Sequence, residues 1–417
     1  MSEVLNLAKN ARVAAQSLSI TSTAQRNRAL LAMSHAIMHK QDEIIAANTK
    51  DMESGRARSV SPALLDRLEL NPARLKSMSE ALKALAGLPD PIGEVIDGHR
   101  MPNGIQITRV RVPLGVVGMI YEARPNVTAD AAGLCIKTGN AVILRGGSLA
   151  VNSNLILTKV LATAAEGAGM PDGCIQSIES TEHAAAEELM GLHGYIDVLI
   201  PRGGQGLIKA VVETAKVPVI ETGWGNCHIY IHENADAEMA RKIAINAKCQ
   251  RPGVCNAAES IIVDEAIYDS VLPPILRELE QNGVIVMGDE KTRALGSIMS
   301  IEPATEEDWG TEYHDLKISC KVVSGLDEAI RHINTYGSKH SEAIITADYD
   351  ASRRFLDEVD AAAVYVNAST RFTDGGEFGL GAEIGISTQK LHARGPMGLA
   401  ALTSTKFVLR GEGQVRE

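Results

Sequence analysis

The segment Gly115-Val-Val-Gly-Met-Ile-Tyr121 begins the pattern that decides the fold. It is a short apolar run of the kind that forms a buried strand. An alanine-rich helical stretch at 129–137 and a second apolar run, Ala141-Val-Ile-Leu-Arg145, follow it. Strands that alternate with helices in this way predict a parallel sheet covered by helices on both faces.

Further apolar runs extend this alternation along the chain. They lie at 196–201, 217–221 and 228–232 in a first series, and at 260–263, 284–287, 321–323, 342–346 and 363–367 in a second. Two such series predict an α/β fold with two parallel-sheet domains.

Two regions depart from this alternation. Residues 1–90 carry apolar positions near helical spacing and are predicted to be helical. Ile105-Gln-Ile-Thr-Arg-Val-Arg-Val112 alternates apolar with polar residues after a Pro-Asn-Gly turn, which predicts a β-hairpin within 94–112. Because an open strand edge is costly, we expect this hairpin to meet a partner.

Composition excludes several classes of protein. The 417 residues correspond to roughly two or three domains. With 41 Lys and Arg against 52 Asp and Glu, the net charge of −11 argues against a nucleic-acid binder, which needs basic patches. The longest apolar run, 112–121, is about half of a membrane-spanning helix, and the N-terminus has no signal-peptide pattern. We therefore expect a cytoplasmic protein without membrane association, whose six cysteines are reduced.

Common nucleotide and metal motifs are missing from the sequence. There is no Gly-Lys dipeptide for a P-loop, no early GxGxxG and no HExxH, and the spacing of Cys249 and Cys255 fits no common zinc pattern. We therefore predict no metal site. Two glycine-rich turns remain, Arg145-Gly-Gly-Ser148 and Arg202-Gly-Gly-Gln-Gly206. A helix that starts at such a turn can hold a phosphate, although glycine-rich turns are also common as connections between strands and helices that bind no ligand.

Cys255 is the candidate nucleophile. It follows the Pro252-Gly253 turn and directly precedes the second strand series. A thiol near cationic groups has a lowered pKa and can attack an electrophile, whereas most single cysteines are small core residues. The other cysteines in apolar contexts are predicted to be core residues: Cys135, Cys174, Cys227 and Cys320.

Several motifs in one order resemble the aldehyde dehydrogenase superfamily. Glu221-Thr-Gly-Trp-Gly-Asn226 precedes Cys255 by 34 positions, counted from Glu221, as a glutamate-led glycine segment precedes the nucleophile in that superfamily. Pro125-Asn126, the run ending at Arg145 and Glu306-Glu-Asp-Trp-Gly310 resemble its further motifs. The resemblance implies an aldehyde-dehydrogenase-like fold with a small β oligomerisation element.

Longer segments resemble one family in that superfamily, the γ-glutamyl phosphate reductases. They are Tyr121-Glu-Ala-Arg-Pro-Asn-Val-Thr128, Gln250-Arg-Pro-Gly-Val-Cys-Asn256, Asp308-Trp-Gly-Thr-Glu-Tyr313, Gly379-Leu-Gly-Ala-Glu-Ile-Gly-Ile-Ser-Thr388 and His392-Ala-Arg-Gly-Pro-Met-Gly398. The resemblance implies NADPH-dependent reduction of L-glutamate 5-phosphate to L-glutamate 5-semialdehyde, the second step of proline biosynthesis, through a thioester on the cysteine.

The resemblance also implies catalytic roles. Cys255 would be the nucleophile, and the Asn126 side chain would donate to the oxyanion together with the Cys255 backbone N–H. An alternative for Asn126 is an N-cap after Pro125. Glu221 would either handle the Cys255 proton or order the glycine-rich segment, since activating water would waste the thioester.

The cofactor residues follow from the same resemblance. Arg145 would lie near the adenosine ribose, Gly203 and Gly204 under the pyrophosphate, and Glu307 at the nicotinamide ribose. Ser148 stands where NAD-preferring members carry an acidic residue, which favours the 2′-phosphate of NADPH. The complete expected set is Arg145, Gly146, Gly147, Ser148, Gly203, Gly204 and Glu307.

Two groups of residues are candidates for binding the substrate. Arginines suit its anionic groups, and small polar residues suit the pocket for its amino-acid end. The expected arginines are Arg124, Arg251 and Arg371. The expected pocket residues are Asn367, Ser369 and Thr370.

The resemblance gives a domain plan. We expect an NADP-binding domain at 1–93 and 113–228, a catalytic domain at 229–375, a return segment at 376–398, and oligomerisation strands at 94–112 and 399–417. It implies a homo-oligomer, and leaves open an association with glutamate 5-kinase, which makes the labile substrate.

Other functions remain open. A CoA-linked acyl reductase would use the same cysteine with another leaving group. A non-catalytic scaffold would not need Cys255, Asn126 and Glu307 together. A cysteine hydrolase would need a histidine partner, and His228 and His232 are predicted to be structural residues on a strand.

Overall fold

The computed structural model describes residues 2–296 and 299–416, with only the backbone described at 62 and 63. The chain forms two compact units. The first unit contains 1–221, 379–385 and 397–417, and the second contains 222–378 and 386–396.

The elements of the described residues are numbered in chain order. The helices are α1 (Glu3–Leu18), α2 (Thr23–His39), α3 (Gln41–Ala57), α4 (Pro62–Leu68), α5 (Pro72–Gly87), α6 (Asn126–Lys137), α7 (Val151–Gly167), α8 (His183–Gly191), α9 (Gln205–Thr214), α10 (Ala237–Cys249), α11 (Tyr268–Gln281), α12 (Glu290–Arg293), α13 (Leu326–Tyr336) and α14 (Tyr349–Glu358). The strands are β1 (Val95–Arg100), β2 (Gln106–Pro113), β3 (Val116–Tyr121), β4 (Ala141–Gly146), β5 (Ile175–Ser177), β6 (Val198–Arg202), β7 (Cys227–Ile231), β8 (Ala258–Asp264), β9 (Ile285–Gly288), β10 (Ile301–Pro303), β11 (Lys317–Val323), β12 (Ser341–Ile345), β13 (Ala363–Val366), β14 (Ile386–Ser387), β15 (Gly395–Pro396) and β16 (Thr403–Arg410).

The helical start of the chain is confirmed. Helices α1 to α5 occupy it, and polar caps fix where they begin. Ser22 and Gln25 form a capping box at α2, and the Asn71 side chain accepts from Arg74 N before α5. Such caps satisfy backbone N–H groups that a helix start leaves without partners.

A parallel sheet forms the centre of the first unit. Its strand order is β5-β4-β3-β6, and every residue of β3 is buried. The predicted strand at 217–221 is wrong: only Val219 forms an isolated bridge, to Leu199. Pro218 lacks an N–H to donate to a ladder, so this run cannot extend the sheet regularly.

A larger parallel sheet forms the centre of the second unit. Its order is β10-β9-β11-β8-β7-β12-β13, which contains all the predicted strands of the second series and the one at 228–232. The buried apolar side chains of this unit lie on strands and helices that pack on them, including Ile261, Leu272 and Phe355. The two-domain α/β prediction is confirmed.

The predicted hairpin is confirmed as β1 and β2, and β16 pairs with the free edge of β2. The β2–β16 register runs from Thr403 opposite Pro113 to Arg410 opposite Gln106. This three-stranded antiparallel sheet leaves Phe407 and Leu409 exposed at 64% and 59%. Its role in oligomerisation stays a prediction.

Thiols and histidines follow the sequence interpretation. None of the six cysteines, all of which lie among the described residues, forms a disulfide; the four predicted core cysteines are buried, whereas Cys249 and Cys255 are half-buried. His228 is buried against the Glu342 carboxylate, and His232 against Thr346. Within 2–296 and 299–416, no group of three or more His, Cys, Asp or Glu side chains could hold a metal ion, and no helix is both long and apolar enough to cross a bilayer.

Candidate active site

A cavity of about 500 Å³ opens in the first unit beyond the carboxyl ends of β3 and β4. Helices α8 and α9 form its walls, and the glycine-rich turn after β4 forms part of its rim. Ligands of open α/β sheets bind at this end of the strands. Its lining includes Tyr121, Glu122, Arg145, Gly147, Ser148, His183, Glu187, Met190, Gly206 and Leu207.

Arg145 projects into this cavity with 9% of its surface exposed. Its Nη2 donates to the Thr181 carbonyl at 2.9 Å and to the Glu182 carbonyl at 3.3 Å. Burial lowers its pKa, although a guanidinium stays charged at any ordinary pH. Its buried Nε has no partner among the described residues. A buried cation with an unused donor at the rim of a cavity fits an anionic or hydroxylated ligand.

One glycine in each of the two predicted turns, Gly146 and Gly203, is closely packed. A Cβ on Gly146 would lie 2.0 Å from Asn154 Nδ2, and one on Gly203 would lie 2.7 Å from Glu122 Cδ. Gly204 precedes α9 without a side-chain cap. The first N–H groups of that helix are therefore left to a ligand or water, which fits a phosphate-bearing cofactor.

A second cavity, of about 350 Å³, adjoins the first and shares Glu122, Gly147 and Ser148 with it. Its further lining residues are Leu64, Arg67, Ala123, Arg124 and Leu149. Arg124, predicted to bind substrate, thus lies with Ser148 of the predicted cofactor turn.

Asn126 is the first residue of α6 and is exposed. The N-cap position belongs to Pro125, so the N-cap alternative for Asn126 is wrong. Its Nδ2 donates to Asp130 Oδ2 at 3.1 Å, one helical turn on. Burial raises the pKa of Asp130 to about 6, against the hydrogen bond from Asn126 and the charge of Arg202. Asp130 therefore orients the amide of Asn126 and titrates close to neutral pH.

Cys255 lies on the turn between α10 and β8 in the second unit. The glycine-rich segment before β7 packs directly on its backbone, because a Cβ on Gly225 would lie only 1.5 Å from the Cys255 carbonyl oxygen. The Cys227 thiol donates to the same oxygen at 3.2 Å. The backbone of Cys255 is therefore fixed by two neighbours from another part of the chain.

The glycine-rich segment is itself held by hydrogen bonds. Gly225 N donates to Glu312 Oε1 at 2.8 Å, and Asn226 Nδ2 donates to the carbonyls of Trp309 and Tyr336 at 2.8 and 2.9 Å. Glu221, just before this segment, is half-buried and is the last residue of the first stretch of chain that belongs to the first unit. Glu307 is exposed, directly before the 308–310 turn that carries Trp309.

A buried ion pair connects the two elements that flank the Cys255 turn. Lys248 Nζ lies 2.6 Å from Glu259 Oε2, and both side chains are fully buried. Burial raises the pKa of Glu259 to about 7, and the charge of Lys248 opposes this shift. The pair joins the end of α10 to the start of β8, the two elements between which Cys255 lies.

Residues 369–373 form further hydrogen bonds with the turn that carries Cys255. The buried Thr370 hydroxyl donates to the Asn256 carbonyl at 2.8 Å, and Asn256 Nδ2 donates to the Thr373 carbonyl at 2.9 Å. The buried Ser369 hydroxyl accepts from Arg371 N at 3.3 Å. Thr370 and Ser369 therefore fix backbone here, and their predicted substrate contacts stay predictions.

Arg371 carries positive charge close to Cys255, and Arg251 lies close enough to act on Arg371. Arg371 Nε donates to Gln250 Oε1 at 2.8 Å. Its pKa is lowered, first by burial and then by the charge of Arg251, whereas Cys255 acts in the opposite direction. Asn367, by contrast, uses its side-chain amide on the backbone N–H and carbonyl of Thr346, both at 2.9 Å.

Sequence reasoning missed several residues of this arrangement. The contact of Asp130 with Asn126 could have been predicted from sequence, since a carboxylate four residues after Asn126 lies on the same helix face. Lys248 and Glu259 are opposite charges that flank the cysteine segment. The contact of Gly225 with Cys255 and the position of Arg67 have no signal in sequence, because they join segments that are distant along the chain.

The chain is similar throughout to proteins of known family. The aldehyde dehydrogenase family model matches residues 1–306. γ-Glutamyl phosphate reductases of Halothermothrix orenii and Moorella thermoacetica are 57% and 58% identical, over 100% of this chain and 99% of theirs. The crystal structure of the Thermotoga maritima γ-glutamyl phosphate reductase has a TM-score of 0.96 at 49% identity, over 100% of both chains. The resemblance found in the motifs is thereby confirmed. The chain is an oxidoreductase that belongs to the aldehyde dehydrogenase family and, within it, to the γ-glutamyl phosphate reductases.

Proposed function

We propose that the chain reduces L-glutamate 5-phosphate with NADPH, giving L-glutamate 5-semialdehyde and phosphate, the second step of proline biosynthesis from glutamate. The observation that carries this proposal is the 57% identity to a γ-glutamyl phosphate reductase over the whole chain, including the Cys255 turn. The packing of the glycine-rich segment on Cys255 supports it, since a nucleophile needs a fixed backbone.

Cys255 starts the reaction in this proposal. Its thiolate attacks the acyl carbon of the substrate, and the bond to phosphate breaks, leaving a thioester on Sγ. The positive charge of Arg371 interacts with Cys255, and Arg251 lies close enough to act on Arg371, so this positive region attracts an anionic substrate. The tetrahedral intermediate carries an oxyanion, for which the Asn126 amide and the Cys255 N–H are the proposed donors. Losing one such donor typically costs about 10²–10³ in turnover.

The first unit is proposed to hold the cofactor. Aldehyde dehydrogenases use a nicotinamide cofactor. The cavity at the ends of β3 and β4, the unused Nε of Arg145 and the open start of α9 fit such a dinucleotide. When bound, NADPH supplies the hydride that reduces the thioester carbon. Ser148 in place of an acidic residue supports NADPH over NADH, because a carboxylate would repel the 2′-phosphate.

Glu221 is proposed to act on the Cys255 proton or to order the segment that begins at Thr222. Activation of water would hydrolyse the thioester to glutamate, so a reductase has to avoid that role. Glu307 is proposed to hold the nicotinamide ribose, and Asn367, Ser369 and Thr370 to line the site for the amino-acid end of the substrate.

The test is the reverse reaction, in which L-glutamate 5-semialdehyde and phosphate reduce NADP⁺. Wild type is compared with Cys255→Ala and with Cys249→Ala, which removes the other half-buried thiol of the same segment. We expect phosphate-dependent NADPH formation in wild type and Cys249→Ala, and its loss in Cys255→Ala. Activity that survives in Cys255→Ala contradicts the thioester.

A second arm replaces phosphate with CoA. Activity with CoA and none with phosphate would assign the chain to CoA-linked acyl reduction instead. A NADH rate equal to the NADPH rate would contradict the proposed cofactor preference alone.

We further propose that the chain is a homo-oligomer that joins through the sheet of β1, β2 and β16. The exposure of Phe407 and Leu409 on an edge strand supports this assignment, because an open apolar edge favours pairing with another strand. Whether the oligomer also binds glutamate 5-kinase can be tested by co-purification.

A further inference from the structure

We propose that Cys227 is a positioning residue for Cys255, and that it acts by donating its thiol proton to the Cys255 carbonyl. This inference rests on the proposed function, because it takes Cys255 as the nucleophile. It gives Cys227 a second role beside the core role that its apolar sequence context predicts. All the residues that carry the argument belong to the second unit.

The Cys227 side chain reaches the Cys255 turn from the first position of β7. Its Sγ lies 3.2 Å from the Cys255 carbonyl oxygen, within the reach of a thiol donor. The pairing of β7 with β8 is irregular at this point, since Cys227 pairs with Ala258 but the next residue, His228, pairs with Ser260. An irregularity of this kind re-aims a side chain. The thiol is therefore held at the carbonyl of the residue that carries the proposed nucleophile.

The Cys227 thiol keeps its proton near neutral pH. The side chain is fully buried, and burial raises the pKa of Cys227 well above its ordinary value. The negative charge of the Glu342 carboxylate acts in the same direction. A protonated thiol has a single proton to donate. Cys227 is therefore a hydrogen-bond donor and not a second nucleophile.

Another possible acceptor of this proton is the ring of His340. Its Nδ1 lies 3.8 Å from Cys227 Sγ but only 2.8 Å from Ser341 Oγ. Ser341 Oγ lies 2.6 Å from Thr373 Oγ1, which in turn lies 2.8 Å from the Tyr365 hydroxyl. Because this chain of polar groups gives Nδ1 a nearer partner, the thiol proton is left to the carbonyl.

The same chain of polar groups also holds the residue that follows the nucleophile. The Thr373 carbonyl accepts from Asn256 Nδ2 at 2.9 Å, and the Thr370 hydroxyl donates to the Asn256 carbonyl at 2.8 Å. The peptide groups on both sides of Asn256 are thus fixed, one of them by Cys227. A fixed peptide limits the positions open to Cys255 Sγ, and displacement of a reacting group by about 1 Å can cost about 10²-fold in rate.

The experiment compares variants that differ in the donor at position 227. Cys227→Ala removes the thiol, Cys227→Val replaces its volume without a donor, and Cys227→Ser restores a donor. Cys320→Ala is the control, because it removes another buried thiol from the same sheet. Turnover is measured as phosphate-dependent NADPH formation from L-glutamate 5-semialdehyde, and urea unfolding checks that each variant is folded.

Loss of the donor should lower kcat without weakening substrate binding. We expect Cys227→Ala and Cys227→Val to lower kcat roughly tenfold or more, with the KM for the semialdehyde changed less than about twofold. Cys227→Ser should keep kcat within about threefold of wild type, since its hydroxyl can donate to the same carbonyl. Cys320→Ala should keep the wild-type kcat.

A second measurement needs neither substrate nor cofactor. The rate at which iodoacetamide alkylates Cys255 is followed against pH by mass spectrometry of its peptide. The charge of Arg371 acts on Cys255, and this interaction changes with the distance between the two groups. The midpoint of the pH dependence should therefore shift by about 0.5 pH unit or more in Cys227→Ala and Cys227→Val. It should stay at the wild-type value in Cys227→Ser and Cys320→Ala.

Each contrary result overturns the inference in a distinguishable way. Wild-type kcat and an unchanged midpoint in both donor-free variants would refute the positioning role. Equal losses in Cys227→Ser and Cys227→Ala would assign the effect to packing of the sulfur, and an equal loss in Cys320→Ala would assign it to packing of the sheet. Absence of phosphate-dependent turnover in wild type would refute the proposed function, and the alkylation midpoint would then decide the inference alone.

Discussion

The Cα of Gly225 lies against the carbonyl of Cys255 so closely that a Cβ at position 225 would be 1.5 Å from that oxygen. The glycine-rich segment and the proposed nucleophile are therefore in a contact that only glycine allows. Glu312 holds the same glycine through its N–H at 2.8 Å. The position of Cys255 thus depends on a segment about 30 residues earlier in the chain.

Substitution of this glycine should disable catalysis. Gly225→Ala forces the Cys255 backbone to move, and displacement of a reacting group by about 1 Å can cost about 10²-fold in rate. We expect a loss of that size in phosphate-dependent NADPH formation. Gly167→Ala, where an added Cβ meets no atom within 4 Å, should keep wild-type turnover. A Gly225→Ala enzyme with near wild-type turnover would refute the proposed dependence.

Lys248 and Glu259 should stabilise the fold only when both are present, because either charge alone would be buried without a partner. Lys248→Met leaves Glu259 buried without its cation and should lower the free energy of unfolding by about 3–5 kcal/mol. Lys248→Met combined with Glu259→Leu should recover most of that loss. Both tryptophans, Trp224 and Trp309, lie in the second unit, so urea unfolding followed by tryptophan fluorescence reports this unit.

The deficit of Lys248→Met should also depend on pH. Burial raises the pKa of Glu259 to about 7 and Lys248 opposes the shift, so removal of the lysine raises that pKa further. Below this pKa the isolated carboxyl is neutral and less costly to bury. The variant should therefore be less destabilised at pH 6 than at pH 8, and a deficit that is equal at both pH values would contradict the assignment.

Asp130 should impose an acidic limit on turnover. Its pKa of about 6 means that the carboxylate which accepts from Asn126 Nδ2 gains a proton as the pH falls through that value. The charge-assisted hydrogen bond is then lost, and turnover should fall. Asp130→Asn should abolish this inflection, whereas Asp172→Asn, at an exposed site, should retain it. An unchanged inflection in Asp130→Asn would assign it to another group.

Ionisation of Asp130 should lower the free energy of unfolding, although the same ionisation supports turnover. A carboxyl whose pKa rises from 3.8 to about 6 on folding binds its proton more tightly in the folded state. Its contribution to the free energy of unfolding therefore decreases as the pH rises through that interval. Asp130→Asn should be more stable relative to wild type at pH 7 than at pH 4, as measured by urea unfolding.

The exposed apolar residues of β16 should control assembly. Phe407→Glu places a charge beside Leu409 on one face of the antiparallel sheet, and we expect a smaller species by light scattering after size-exclusion chromatography. Ser404→Glu adds the same charge on the opposite face and should leave the molar mass unchanged. Equal masses for Phe407→Glu and wild type would exclude this face as the interface.

Local patterns predicted the strands that are long enough to show a pattern. β3, β4, β7 and β8 follow from apolar runs, whereas β5 and β10 are only three residues long and were missed. The run at 217–221 is equally apolar, but Pro218 interrupts its pairing and it leads into the glycine-rich segment instead. Apolarity alone does not distinguish a strand from a buried connection.

The same distinction between local pattern and tertiary packing applies to the residues of the site. Cys255 could be chosen from its turn and its motif, but the contact of Gly225 with its carbonyl depends on tertiary packing. Arg124 looked suited to any anion, and only the fold shows that it shares a cavity with Ser148. Sequence identifies residues with the right chemistry, whereas their partners depend on segments that meet after folding.

Because β2 pairs with β16, the antiparallel sheet can be completed only after the last part of the chain has been synthesised. Thr108 Oγ1 donates to the Val408 carbonyl across 300 residues of chain, and Asn140 Nδ2 donates to the Leu402 carbonyl across 262. On the ribosome, residues 222–378 emerge before β16, so the later-encoded unit can fold while the earlier one still lacks a strand. A nascent or truncated chain would present the edge of β2 without its partner.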